Sequence, residues 1–429
     1  MTDDLEPRPG WHVTRIDQIA TVEARIGWKA LTADEYVSEG YAFLATPNIK
    51  ATEIDFQNVN RITNFRYEES PGLKLRLGDV LLAKDGNTLG IANVVTRLPE
   101  AATVNGSIAV LRPLSIEPRF LRYWLASSYI QGKIGSLKDG MGVPHLFQRD
   151  INRLPVLLPP LDEQRRIADF LDAETRRLDY LSAVTRRQAV LVQERYLEWL
   201  RSCTTGTDDD GTRLTGIPWM PTVRQDWALD RIARVFRTGS GTTPTATDAS
   251  NFGGRHHWVN TGDLRDAPIT STGKTLTDAA LERFTTLTVY PPGSLLIAMY
   301  GATIGRTGLL RIPASVNQAC CVLYQAAAVS TEFTWHWFVA HRSAIVSLAS
   351  GAGQPNISQE VIRSLRVPVP SADEQARIVT AVRAGSERSE AVQSVLNQRV
   401  VILAERRQAL ITSAVTGQLD VTTARGFSA

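Results

Sequence analysis

A single numerical offset constrains this chain more than any other feature of its sequence. "PLDEQRRIADFLD" begins at Pro160 and "PSADEQARIVTAV" at Pro370, and Glu374 minus Glu163 is 211; the same step carries Pro144 to Pro355, Ile151 to Ile362, Arg195 to Arg406 and Gly206 to Gly417. Upstream the offset drifts but the correspondence persists, pairing Trp124 with Trp337, Asn105 with Asn317, Gly86 and Gly90 with Gly301 and Gly305, and Trp11 with Trp227. The chain is two copies of one unit of about two hundred residues, a period too long for the 20–50 residue solenoid repeats. Whatever one half folds into, the other must fold into as well.

Composition narrows the class. Of 429 residues, 43% are apolar and 21% charged, ordinary proportions for a globular protein with sizeable cores. A net charge of +3 means that any nucleic-acid surface must arise from local arrangement instead of bulk basicity. Three cysteines, Cys203 and the adjacent Cys320 and Cys321, form no C-x-x-C pair and no even framework, which fits a reducing cytoplasm and argues against structural zinc. The opening "MTDDLEPRPGW" lacks the basic and apolar regions of a secretory signal, and no apolar run is long enough to span a membrane, so a cytoplasmic location is expected.

Each copy divides into a globule and a rod. "GDVLLAKDGNTLGIANVV" reads as strand, glycine loop, strand, and "GSLLIAMYGATIGRTGLL" repeats it; "PRFLRYWLASSYIQGKI" and "TEFTWHWFVAHRSAIVSL" each read as a helix. After Pro159 and Pro160 no proline or glycine occurs until Gly206, which predicts one long helix of about forty residues and roughly 60 Å. Its expected seam runs Leu178, Leu181, Thr185, Gln188, Val192, Arg195, Trp199, matched by Ser389, Val392, Leu396, Arg399, Leu403, Arg406, Leu410 in the second copy. With the remaining faces heavily charged, the two rods are expected to pack on each other antiparallel, with Gly385 bending the second. The stretch "TTGTDDDGTRLTGIPWMPTVRQD" is polar and Gly-bearing and reads as an irregular linker. The expected architecture is α+β: globules over 1–160 and 227–370, long helices over 161–205 and 371–418, a linker over 206–226 and a tail over 419–429, with an internal pseudo-two-fold repeat.

Motifs for chemistry are missing. "GATIGRTG" sets its glycines one residue too close for a phosphate loop and has Arg306 where lysine belongs; "VYPPGS" has the prolines of an adenine methyltransferase's base-gripping loop but neither its leading Asn or Asp nor its trailing aromatic. His256 and His257, adjacent on a strand, face opposite ways, and His336 and His341 make no H-E-x-x-H. No catalytic residue, metal site or cofactor is expected in this chain.

The order of globule, "PPLDEQRRI" helix, globule, "PSADEQARI" helix resembles the specificity subunit of type I restriction–modification enzymes. The resemblance spans nearly the whole chain and rests on "GDVLLAKDG" with "GSLLIAMYG", "VNGSIAVLRP" with "VNQACCVLY", and "GVPHLFQRDINRLPVLLPPLDEQ" with "GQPNISQEVIRSLRVPVPSADEQ". It implies two target-recognition domains that each read half of a bipartite site in double-stranded DNA, and helices that fix the gap between halves. It also implies two modification subunits that bind S-adenosylmethionine and methylate adenine, and restriction subunits that use ATP and Mg. A rival reading is a protein-interaction scaffold with dimerising rods; a self-sufficient methyltransferase is disfavoured by the missing loops.

The duplication also sorts candidate readers. Positions shared by both copies, such as Gly86 and Gly301 or Asn105 and Asn317, serve the common fold, whereas base readout must differ if the half-sites differ. The differing loop positions are Lys84 opposite Met299, Asn87 opposite Ala302, Arg306 opposite Ile91, and His145 opposite Asn356. Lys84, Asn87, His145, Arg306 and Asn356 are therefore expected at bases, and Arg61, Arg66 and Lys274 at phosphates. The repeated helix starts, Glu163, Gln164 and Arg166 with Glu374, Gln375 and Arg377, are expected to dock a partner subunit.

Overall fold

A computed structural model describes residues 7–24, 31–137, 145–208, 211–349 and 355–421. The chain divides into two units: the first runs to Arg186 and resumes at Gln398, and the second is Arg187–Asn397. Each long helix, Leu161–Thr205 and Ala372–Val415, therefore contributes one part to each unit.

In the first unit, an antiparallel sheet is ordered Ala20–Glu23, Ile108–Pro113, Val80–Ala83, Ala92–Val94. A second sheet is ordered Asn60–Ile62, Tyr41–Leu44, Ala102–Val104, its last pair parallel, and His12–Arg15 pairs with Pro155–Leu158. The second unit repeats this plan. Arg237–Gly239, Cys320–Tyr324, Leu295–Ala298 and Thr307–Leu310 form the equivalent sheet, extended by Ala267–Ile269; Lys274–Leu276, Phe252–Val259 and Ala314–Val316 form the smaller one, and Ala228–Arg231 pairs with Arg366–Val369. The duplication read from the sequence is thus a duplication of topology.

The central strands explain why their sequences are unbroken apolar runs. Side chains alternate across a strand, and here both faces are covered. Val80 and Leu82 enter the core that holds Trp124 and Phe120, whereas Leu81 enters the core with Phe56 and Val104. Leu295 and Ile297 likewise face Trp337 and Phe333, and Leu296 and Ala298 face Tyr290 and Val316. The glycine loop that comes after each strand turns at Gly86 and Gly90, with φ of 70° and 89°, and at Gly301 and Gly305, with φ of 84° and 75°, conformations that glycine adopts without a Cβ clash.

The long helices run antiparallel within each unit. In the first, Asp179 pairs with Arg407 at 3.1 Å, while Ile167 and Leu171 share a core with Ile411, Ala414 and Val415. In the second, Gln193 meets Gln393 and Leu200 meets Val382.

Three sequence expectations are corrected. The seam is only partly as expected: Leu178 and Thr185 are buried, but Gln188, Arg195, Val392, Arg399 and Arg406 are exposed, and burial on the first helix extends back through Thr175, Leu171, Ile167 and Gln164, where the helix packs on the first unit's own core. The stretch expected to be an irregular linker contains a hairpin, Thr212–Ile217 with Met220–Arg224, whose Met220 and Val223 are buried in the second unit's core. "PRFLRYWLASSYIQGKI" forms two helices, Pro118–Ala126 and Ser128–Ser136, broken at Ser127, which is extended and whose hydroxyl accepts from the amide of Ile130 as an N-cap. Its counterpart Ala340 cannot cap, and Thr331–Val346 runs through.

Candidate nucleic-acid interface

In each unit the glycine loop is met by a second segment from far along the chain. The amide of Leu146 donates to Lys84 O at 2.9 Å and the amide of Ile357 to Met299 O at 2.8 Å, and these contacts bridge Asp85 to His145 and Tyr300 to Asn356. The two copies build the same two-segment tip with different chemistry. In the first, the His145 ring Nδ1 contacts the Asp85 carboxylate; in the second, an exposed Asn356 amide stands beside Tyr300. Asn87 and Arg306 are exposed on these loops.

Two exposed residues at the first tip escape the sequence reading. Phe147 sets its ring edge to His145, with centroids 4.5 Å apart, and Arg149 lies over Phe147 at 5.0 Å. The signal was available, since Ser358 and Glu360 occupy the matching positions of the second copy. An exposed aromatic flanked by a guanidinium and an imidazole can stack on and hydrogen-bond to a base.

Lys84 does not belong to this surface. It is 6% exposed, and burial lowers the pKa of its ammonium against the opposing pull of Asp85, 3.9 Å away. Met299, 8% exposed, fills the same position, so the lysine stem serves as an interior side chain. The cations expected at phosphates already have partners. Arg61 forms a fork on Glu100 at 2.7 and 3.0 Å, and Arg66 donates to Glu35 at 2.7 Å and Glu69 at 2.8 Å, contacts that raise both guanidinium pKa values. Lys274 is exposed, its ammonium 5.7 Å from the centre of the Phe252 ring.

The helix starts give a further correction. Gln164 and Gln375 are buried and occupied inside their own units. Gln164 donates to Pro159 O at 2.8 Å and accepts from the amide of Glu117 at 2.9 Å; Gln375 donates to Pro370 O at 2.9 Å and accepts from the amide of Ser330 at 2.6 Å. Glu117 and Ser330 are the N-cap residues of the helices that carry Trp124 and Trp337, so each glutamine fastens its long helix to its globule. Glu163 accepts from Trp11 Nε1 at 3.1 Å and Glu374 pairs with Arg224 at 2.9 Å. Arg166 and Arg377 remain exposed.

Chemistry beyond binding finds little support in the described residues. No group of three or more His, Cys, Asp or Glu could hold a metal among them. His336 and His341 are buried, and burial lowers both to about 4. Burial raises the Cys321 thiol to about 12 and the Cys203 thiol to about 11, and raises Cys320 as well, so all three are held as poor nucleophiles. No described helix is long and apolar enough to cross a membrane.

Comparison with known proteins accounts for both copies together. Residues 9–189 and 224–391 each match the type I restriction modification DNA specificity domain. The chain belongs to that family. Among relatives of this specificity family, a putative type I restriction enzyme specificity subunit of Methanocaldococcus jannaschii, MjaX, is 22% identical over 87% of this chain and 86% of its own length. A second from the same organism, the MjaIX specificity subunit, is 22% identical over 37% of this chain, and the match spans 38% of that relative's length. A solved chain from work on complex assembly and conformational transition of the type I R-M system superposes with a TM-score of 0.74 at 19% identity, covering 96% of this chain and all of that one. The HsdS subunit of Thermoanaerobacter tengcongensis gives 0.55 at 17% identity, over 98% of this chain and all of that one. The specificity-domain fold, doubled and carrying two long helices, is thereby the fold of this chain.

Proposed function

We propose that this chain is the non-catalytic DNA-specificity subunit of a type I restriction–modification assembly, in which each recognition domain reads one half of a bipartite site. The observation that carries this reading is the pair of equivalent tips that share a backbone plan and differ in side chains: Asp85, Asn87, His145, Phe147 and Arg149 in one, Tyr300, Arg306 and Asn356 in the other. A shared scaffold with divergent hydrogen-bonding groups is what two different half-sites require. The long helices fix the gap between half-sites and dock two methyltransferase subunits. The exposed Arg166 and Arg377 are the docking candidates, while Gln164 and Gln375 shape the surface from beneath. S-adenosylmethionine belongs on the modification subunits, and ATP with Mg on the restriction subunits.

The test is a domain exchange in the assembled enzyme. Replacing Trp11–Leu158 with the first domain of another family member, then mapping methylated adenines genome-wide, is expected to change one half of the motif and leave the other intact. A change in both halves would refute independent reading.

A further inference from the structure

The two glutamine locks are interchangeable in chemistry, yet the ion pair beside each is reversed in sign. Arg119 is the second residue of the helix Pro118–Ala126, and its Nη1 reaches Asp172 Oδ2 at 3.0 Å and Asp169 Oδ1 at 2.7 Å on the long helix. Glu332 is the second residue of the helix Thr331–Val346, and its Oε1 accepts from Arg383 Nε at 3.0 Å and Nη2 at 2.6 Å. The positions are equivalent by the structure's own register. Both helices open immediately after the residue whose amide the glutamine binds, and Asp172 and Arg383 each lie eight residues beyond their glutamine.

We propose that this polarity reversal is an identity key by which each recognition domain docks on its own long helix and rejects the other copy's. Had a globule of the first kind met a helix of the second, Arg119 would face Arg383; in the converse pairing Glu332 would face Asp172 and Asp169. The hydroxyl of Tyr123, which donates to Asp172 at 2.7 Å, would lose that acceptor as well. A duplicated chain needs such a device because much of the docking region is shared: Gln164 and Gln375, Ile167 and Ile378, Trp124 and Trp337. Repeat proteins characteristically fail by misassembly and domain swapping, and specificity between near-identical surfaces commonly requires a repulsive element against the wrong partner. Divergence of unrelated surface charges would alter one member of a pair; here both have changed and the attraction is kept.

The reading does not depend on DNA recognition and is tested without DNA. The full-length chain is refolded from denaturant at high protein concentration as wild type, Glu332→Arg, Arg383→Asp and the double variant, with unfolding midpoints and light scattering coupled to size exclusion as readouts. Each single variant is expected to lower the midpoint of the second unit, and the double variant to recover part of the loss, because Arg311, 3.6 Å from Glu332, would still face the new arginine. Because the double variant gives both copies the same polarity, its yield of exchange-locked dimers, those that persist on dilution and dissociate only after unfolding, is expected to rise roughly five- to thirty-fold over wild type. A double variant that recovers the midpoint but forms no more such dimers than wild type would overturn the key. One no more stable than the single variants would overturn the coupling on which it rests.

Discussion

Gln164 and Gln375 show how much one buried amide can organise. Each satisfies a backbone donor at a helix N-terminus and a proline carbonyl at once, so removal strands buried polar groups. Gln164→Ala is expected to lower the stability of the first unit by about 1–3 kcal/mol, and Gln375→Ala that of the second, each measured as a shift in its own unfolding transition. A second residue-scale prediction concerns pH. His336 and His341 are held near 4, below the ordinary 6.5 that they regain on unfolding, so between those values the unfolded chain binds more protons. Stability of the second unit is therefore complete above about pH 6.5 and is lost progressively toward pH 4. His341 Nε2 lacks a hydrogen-bond partner and its ring lies among Trp219 and Trp337; His341→Phe is expected to flatten that slope, read by tryptophan fluorescence through an acid titration. At this scale the sequence was partly legible. Differences between the copies located His145 and Asn356 beside the loops that the structure joins to them, but the same rule selected Lys84, because a Lys-to-Met difference looks alike whether the stem is exposed or buried. Arg61 and Arg66 looked available because their carboxylate partners lie as many as 39 residues away.

Among the elements, Gly385 separates propensity from packing. In an exposed helix interior, glycine to alanine stabilises by about 1 kcal/mol, and from sequence alone Gly385 reads as a bend. It lies within the continuous helix Ala372–Val415, and a Cβ there would overlap the indole of Trp199 on the facing helix. Gly385→Ala is accordingly expected to destabilise the second unit by about 1–3 kcal/mol, with Trp199→Leu in the same chain recovering part of the loss; thermal denaturation of the two variants decides the sign. The strand, glycine loop, strand stretches and the two long helices were legible because the duplication let each half corroborate the other. The hairpin Thr212–Ile217 with Met220–Arg224 was not legible, since it has no counterpart among the described residues of the first copy and buries few apolar residues. The seam was legible at Leu178 and Thr185 and missed at Gln164, Thr175 and Ser386, polar positions that no apolar heptad can reveal.

For the whole molecule, both long helices begin in one unit and end in the other, so their length is the natural variable for testing whether they set the gap between half-sites. Inserting four residues near Ala189 and a matched four near Val400 adds roughly 6 Å of helix, close to two base pairs at 3.4 Å each. Both sites lie in the stretch where side chains are mostly exposed, away from the glutamine locks and the charged pairs at Asp172 and Arg383. The same insertion turns the rest of the helix by about 40° beyond a full turn, a change that the rotation of the duplex partly matches. Mapping methylated adenines is expected to show a longer gap with both half-sites unchanged, whereas insertion in one helix alone is expected to disrupt their mutual packing and weaken assembly. An unchanged gap in an active, doubly lengthened enzyme would mean that something other than the helices measures the distance. Contacts made by the recognition domains would then have to select the spacing, and the domain exchange at Trp11–Leu158 would alter the gap together with the half-site, an outcome visible in the same methylation map.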